Sequence, residues 1–326
     1  MKIKDCKISI VCILLALILQ GCIHEYPHET GKNPQLINAK INISFNLYWE
    51  RLLHILDIKT RDRSDTQHKF IIEISKDGIT YCREIAYLND DEFSLGSFRY
   101  DIALPLGPYE YDIVVWYEKI PEGKDSNFLL EDLRTVKILG NTQTHESPSQ
   151  CAFAKDKINL RQNYESSDTE IIKELQLQLA GARFELITKD IQKFISDQKA
   201  SLNQGDTYTV NLSFHNNSSY SFNLYEEKVD YLQNKLEFIG DLFFPFGEYE
   251  EMTIAEGFIF CEKEDNILMT LSVYNSALML VTQTEEFSFP VKRGYITTIE
   301  GDFLTHYLEG FLSINNIWEG EYIIEI

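Results

Sequence analysis

Cys22 closes the stretch Leu19-Gln20-Gly21-Cys22, behind Lys2, Lys4 and Lys7 and an apolar run from Ile8 to Leu19. A basic start, a greasy middle and a small residue just before a Cys is the order of a bacterial lipoprotein signal, whose thiol becomes a lipid thioether. About a dozen apolar residues fall short of the roughly 20 that span a bilayer core. Each buried acyl CH2 contributes about 0.8 kcal/mol, so several chains of the palmitate kind hold a protein effectively permanently. The spacing therefore predicts a signal peptide over 1–21 and a mature chain that begins at Cys22. Ile23, not Asp, follows the Cys, which favours the outer membrane over retention at the inner one. Glu25 and Glu29 give the start of the mature chain a thin acidic character that points weakly to the cell surface.

Other reactive residues do not converge on a reaction. There is no Gly-x-Ser-x-Gly elbow, no His-Glu-x-x-His and no Gly-rich phosphate loop, so an enzyme is not expected and no cofactor is implied. His24 and His28 have the spacing of a helical metal pair but sit in a Pro-containing stretch, and no metal is expected there. Asn89-Asp90-Asp91-Glu92 lacks the Gly and the ligand spacing of a Ca²⁺ loop and reads as a solvated turn. Cys82, Cys151 and Cys261 remain after the signal, an odd number without C-x-x-C spacing, so they read as buried thiols, with one bridge open in an oxidising compartment. Trp116 and Trp318 are the candidate aromatic contacts, with Trp49 a third. Trp116 falls in phase with Asp112 and Glu118 and opposite to Ile113, Val115 and Tyr117, which suits either a sugar-stacking platform or a residue under cover.

The elements that carry these residues are strands. Ile41, Ile43, Phe45 and Leu47 alternate with polar residues, as do Phe70, Ile72 and Ile74, and Lys76-Asp77-Gly78 is a hairpin turn. Phe98 to Leu104 and Tyr109 to Tyr117 alternate on either side of Leu104-Pro105-Leu106-Gly107-Pro108, which predicts an antiparallel hairpin. Further strands are expected at 135–139, 175–186, 208–214, 257–261, 267–274, 277–283, 287–291, 295–299 and 322–326. A single clear helix carries Ile191, Phe194 and Ile195 on one face, with Thr188 as its N-cap. The polar segment 161–173 separates two strand-rich parts. The expected organisation is a tether over 22–38, an N-terminal β-sandwich over 39–160, a linker over 161–173 and a C-terminal β-sandwich over 174–326. Twenty Phe and 18 Tyr against 4 Met suit pleated, half-buried surfaces. The chain's formal charge is −21, and removing a signal with three Lys and one Asp leaves −23. Such a balance repels phosphate backbones and argues against nucleic acid as a partner.

Several phrases resemble the fimbrillin-like lipoproteins of Bacteroidales, related to type V pilus subunits, near their minor or anchoring members and near a set known only as a domain of unknown function. The carrying residues are Pro108 to Tyr117, Cys151-Ala152-Phe153-Ala154, Ala182 to Asp190, Phe289 to Arg293, Gly301 to Thr305 and Trp318 to Ile326. The chain departs from that pattern at Ala180-Gly181, where an Arg-Pro pair is usual. The resemblance implies a mainly β fold of two tandem transthyretin-like sandwiches, cell adhesion as the setting, and fimbrial subunits as partners joined by strand pairing. It also implies an accessory, anchoring or tip-like role, with glycan or host binding by an outer-membrane lipoprotein as the alternative. In polymerising relatives a first strand is removed after a basic residue. Arg61 and Arg63 are the candidates here, or else part of a solvated loop. The terminal strand with Tyr322, Ile324 and Ile326 either pairs within its own sandwich or is donated to a neighbour.

Overall fold

A computed structural model describes residues 36–45, 66–89, 91–93, 97–105, 107–123, 125–139, 151–161, 170–198, 207–216, 221–230, 237–242, 250–305, 312–315 and 322–324. Cys22, residues 23–35 of the expected tether, Trp49, Arg61, Arg63 and Trp318 lie outside these residues. Residues 36–38, assigned to the tether, already belong to the first strand. Among the described residues the protein is almost entirely strand, with one helix, α1 (Ile191–Gln198).

The first half is built on β1 (Leu36–Phe45), β2 (Thr66–Lys76), β3 (Ile79–Asn89), β4 (Ser97–Pro105), β5 (Glu110–Pro121), β8 (Cys151–Asn159) and β9 (Glu170–Leu179). They form one sheet in the order β3-β2-β5-β8-β9-β1-β4. β9 is the fold line. Its C-terminal end pairs with β8 through Leu179 and Gln178, and its length from Glu170 to Leu177 runs parallel to β1. The sheet thereby closes over itself as a sandwich. Ile37, Ile41, Ile43 and Phe45 of β1 face Phe70, Ile72, Ile113, Val115 and Tyr117 of the opposite layer in one core. Asp77 and Gly78 both have positive φ, at 51° and 77°, which makes the β2–β3 connection the tight turn that Asp-Gly favours.

The second half is a two-sheet sandwich. One sheet has the order β15 (Met252–Phe260), β10 (Gly181–Thr188), β19 (Ile296–Gly301), β20 (Leu312–Asn315), β21 (Tyr322–Ile324). The other has the order β14 (Glu237–Leu242), β11 (Tyr208–Asn216), β16 (Glu264–Tyr274), β17 (Leu280–Gln283), with β18 (Phe287–Lys292) also paired to β16. Phe184, Phe214, Phe238 and Phe289 meet between them, together with Phe194 of the helix. Gly257 is required where it stands. It lies opposite Phe184, and a Cβ there would sit 2.4 Å from that ring.

A small fourth sheet joins the halves. β6 (Phe128–Leu129) and β7 (Val136–Ile138) come from the first half, and β12 (Ser221–Asn223) and β13 (Lys228–Asp230) from the second. β7 pairs with β12 through Val136↔Phe222 and Lys137↔Ser221. This sheet covers the outer face of β2, β5 and β8.

Four expectations are corrected. The strands on either side of Pro105 are not a hairpin: β4 pairs with β1, whereas β5 lies between β2 and β8. Residues 170–173, assigned to a linker, and 174–179, assigned to the second sandwich, together form β9 of the first sheet. The crossing point is Ala180-Gly181, where a Cβ on Gly181 would meet the Ile259 carbonyl at 2.0 Å. Thr188 is not the helix cap. Asp190 occupies that place, and its carboxylate also takes the Leu304 N–H and the Thr188 hydroxyl. For the strands, alternation reports which side is wet, but not which strand lies beside it. The terminal strand β21 pairs with β20 of its own sheet.

Candidate functional site: the anchor strand and the joint between halves

Thirteen residues separate the predicted lipid at Cys22 from Leu36, where β1 begins, a reach of roughly 50 Å when extended. β1 is inside its layer, flanked by β4 on one side and β9 on the other. Ile41 and Ile43 are fully buried and Phe45 nearly so. The Phe45 ring stands edge-on to Tyr117 at 4.7 Å and to Phe93 at 5.7 Å. The Tyr117 hydroxyl in turn meets the His68 ring nitrogen at 2.9 Å. On the wet face Lys40 is ion-paired with Glu170, and the Asn42 amide donates to Glu174 at 2.7 Å. The segment that follows the expected signal thus leads into a strand whose apolar side is committed to a core.

Trp116 is not available as a sugar platform. It is 0% exposed, edge-on to Phe128 at 5.1 Å, in a core with Phe153, Phe222, Phe258 and Phe260. Phe222 and Phe260 stack at 5.5 Å and 18°. The in-phase position of Trp116 with Asp112 and Glu118 arises because the outer face of β5 is covered by elements distant in sequence. Phe128, Phe222, Phe258 and Phe260 are the joint residues that sequence reasoning did not single out.

Charges are drawn into the joint as well. Glu73 of β2 is buried, bonded by Arg83 at 2.6 Å and by the Tyr225 hydroxyl at 2.5 Å, with the Arg134 guanidinium 3.6 Å away. Arg83 also donates to the Leu130 carbonyl, and Arg134 lies over the Tyr225 ring at 4.1 Å. Burial, reinforced by the bond to Glu73, pushes the Tyr225 hydroxyl up to about 12. Lys155 bonds the Tyr225 carbonyl and pairs with Glu227, both at 3.0 Å. Glu118, beneath the same cover, has its carboxyl pushed up by burial, opposed by the Ser126 hydroxyl at 2.6 Å, by Lys69 and by the Trp116 indole. The arrangement fastens one half to the other.

Cys82, Cys151 and Cys261 are free thiols. Burial pushes the Cys151 thiol well up and that of Cys261 up to about 12, which makes both poor nucleophiles. Among the described residues no group of three or more His, Cys, Asp or Glu is placed to hold a metal ion. Asn89 and Glu92 each accept the other's backbone N–H, at 2.8 and 2.9 Å, which is a self-satisfied turn. A cleft of about 220 Å³ is lined by Gln67, Lys69, Tyr87, Ile120, Asp125 and Ser126.

No curated protein matches the chain in sequence. In structure it is similar to the fimbrial anchor protein Mfa2 from Porphyromonas gingivalis, at 12% identity and a TM-score of 0.44 over 89% of this chain and 99% of that one. It is similar to a fimbrial assembly protein from Parabacteroides distasonis, at 11% identity and a TM-score of 0.36 over 89% and 98%. A Bacteroides thetaiotaomicron protein conjectured to bind polysaccharide aligns at 10% identity and a TM-score of 0.46 over 88% and 98%. The model of a family of unknown function, DUF6562, matches residues 34–326, starting two residues before β1, and the chain belongs to that family.

Proposed function

We propose that the protein is an outer-membrane lipoprotein of the cell surface that serves as an anchoring or accessory structural subunit of a fimbria, and is not an enzyme. The observation that carries the reading is the run from Leu19-Gln20-Gly21-Cys22 through a short tether into β1, a strand buried in its own sandwich. Anchoring needs the lipid and the folded body to stay on one chain. β1 commits Ile37, Ile41, Ile43 and Phe45 to the core, and each such side chain contributes about 1.5–3 kcal/mol on burial. Arg61 and Arg63 then belong to a solvated connection and β1 is retained. Partner subunits add through strand pairing at sheet edges. We read the two halves as tandem transthyretin-like units that meet at Ala180-Gly181. The names of the structurally similar fimbrial proteins accord with this role, but the argument stands on the sequence and on the seat of β1. Burial of Trp116 removes that residue as support for glycan binding.

Intact mass and partner analysis of the protein extracted from membranes tests the reading. The expected result is one polypeptide that begins at an acylated Cys22 and continues past Arg63, with fimbrial subunits co-isolated. Cys22→Ala is expected to abolish acylation and release the body from the membrane. An unlipidated chain, or a body that begins just after Arg61 or Arg63, would overturn it.

A further inference from the structure

The pairing of β1 with β9 has a mechanical consequence. The two strands run parallel, from Asn38↔Glu170 to Phe45↔Leu177. Tension from a lipid at Cys22 enters β1 at its N-terminal end. Tension toward the second half leaves β9 at its C-terminal end, through Ala180-Gly181. For parallel neighbours these are opposite ends of one ladder, so the pull runs along the strands and tries to slide one past the other. The ladder's hydrogen bonds lie across that direction and are strained together. Had the force entered and left at the same end, they would open one at a time.

We propose that β1 and β9 form a shear clamp that carries tension between the lipid anchor and the rest of the molecule. Where the tension enters rests on the anchoring role given above; the geometry of the clamp does not. Side chains reinforce it. Phe45 is the trailing residue of β1. Movement of β1 toward its N-terminus drags the Phe45 ring away from Tyr117 and Phe93 into the sites of Ile43, Ile41 and then Ala39, each buried and each shaped to a smaller group. Interiors packed to crystal density resist such overpacking. On the wet face the Lys40–Glu170 and Asn42–Glu174 contacts cross-link the same two strands. On its other edge β1 is held by β4 from Leu36↔Pro105 to Ser44↔Ser97, so sliding breaks two ladders.

The second half repeats the device. Its first strand, β10, lies between antiparallel β15 and parallel β19, with the parallel register running from Arg183↔Ile296 to Thr188↔Gly301. Tension that entered β10 from Ala180-Gly181 and left beyond β19 would again act in shear.

Single-molecule pulling on the full chain tests the clamp. Handles at Cys22 and at exposed Asp197 load β1 and β9 from opposite ends, because the chain from Ala180 to Asp197 carries the force covalently. Handles at Cys22 and Glu170 load the same ladder from one end. Forced unfolding reads the barrier to leaving the native state, so the first pair is expected to rupture at a force at least about twofold above the second at equal loading rate. Phe45→Ala is expected to lower the first force and leave the second little changed. Matching thermal melts of the two handle proteins establish that both are folded. Equal forces, or yielding of a segment other than β1 first with the Asp197 handle, would overturn the clamp. Failure to recover fimbrial partners would sink the anchoring role and leave these forces untouched, whereas equal forces would leave the anchoring role standing.

Discussion

β1 and β5 both alternate, both sit within the same folded sheet, and both point Ile and aromatic side chains into the same core. Their other faces differ. The outer face of β1 carries Asn38, Lys40, Asn42 and Ser44 and is wet, with ion pairs to β9. The outer face of β5 carries Val114, Trp116 and Glu118 and is fully buried by β6, β7, β12 and the Phe258/Phe260 end of β15. One face of a sandwich therefore remains ordinary surface while the other becomes a joint. The difference explains why a chain of two sandwiches is fastened at its middle by a core and a mixed sheet, in addition to the peptide through Ala180.

The comparison can be broken first at the joint. Trp116→Ala is expected to destabilise the protein by about 3–5 kcal/mol, the range for truncating a buried aromatic. Chemical denaturation checks this, and the loss should reach the second half because Phe128 loses the Trp116 ring and itself packs on Phe258 and Phe260. A smaller effect belongs to Glu118. Burial raises its carboxyl in the folded state above the unfolded value. Its contribution is thus fully present below the ordinary carboxylate range and is lost as pH rises through the folded value. Glu118→Gln is expected to flatten the decline of melting temperature between mildly acidic and neutral pH, and an unchanged slope would show that Glu118 does not carry it. The smallest effect is on the wet face. Lys40→Ala removes a partly exposed ion pair with Glu170 and should cost no more than about 1 kcal/mol in the same denaturation assay. A loss comparable to that of Trp116→Ala would mean that the outer face of β1 is covered too.

Much of the strand content was legible. Alternation over Ile41 to Phe45 and Phe70 to Ile74 and the Asp77-Gly78 turn are local signals, and the structure follows them, with strands that begin earlier, at Leu36 and Thr66. Cys151-Ala152-Phe153-Ala154 enters only through the resemblance, because β8 has two buried faces over those residues and shows no period there. The short strands of the joint, β6, β7, β12 and β13, are two or three residues long and too brief for any period to show clearly. The resemblance phrase around Trp116 marked the right strand but not the reason for its Trp, which is the cover supplied from residues 222 and 258–260.

The amino-acid order by itself determined the acidic charge, a sum over the chain. It also determined the mainly β character and the sidedness of most strands, which depend on residues within about ten positions of one another. It carries as well the expectation of a lipoprotein signal at Cys22. Only the tertiary structure decided that β9 belongs to the first sheet, that β1 lies parallel to it, and that Trp116 is interior. Those facts depend on which strands become neighbours across more than a hundred residues, and a two-residue period is satisfied equally well by any partner that offers an apolar face.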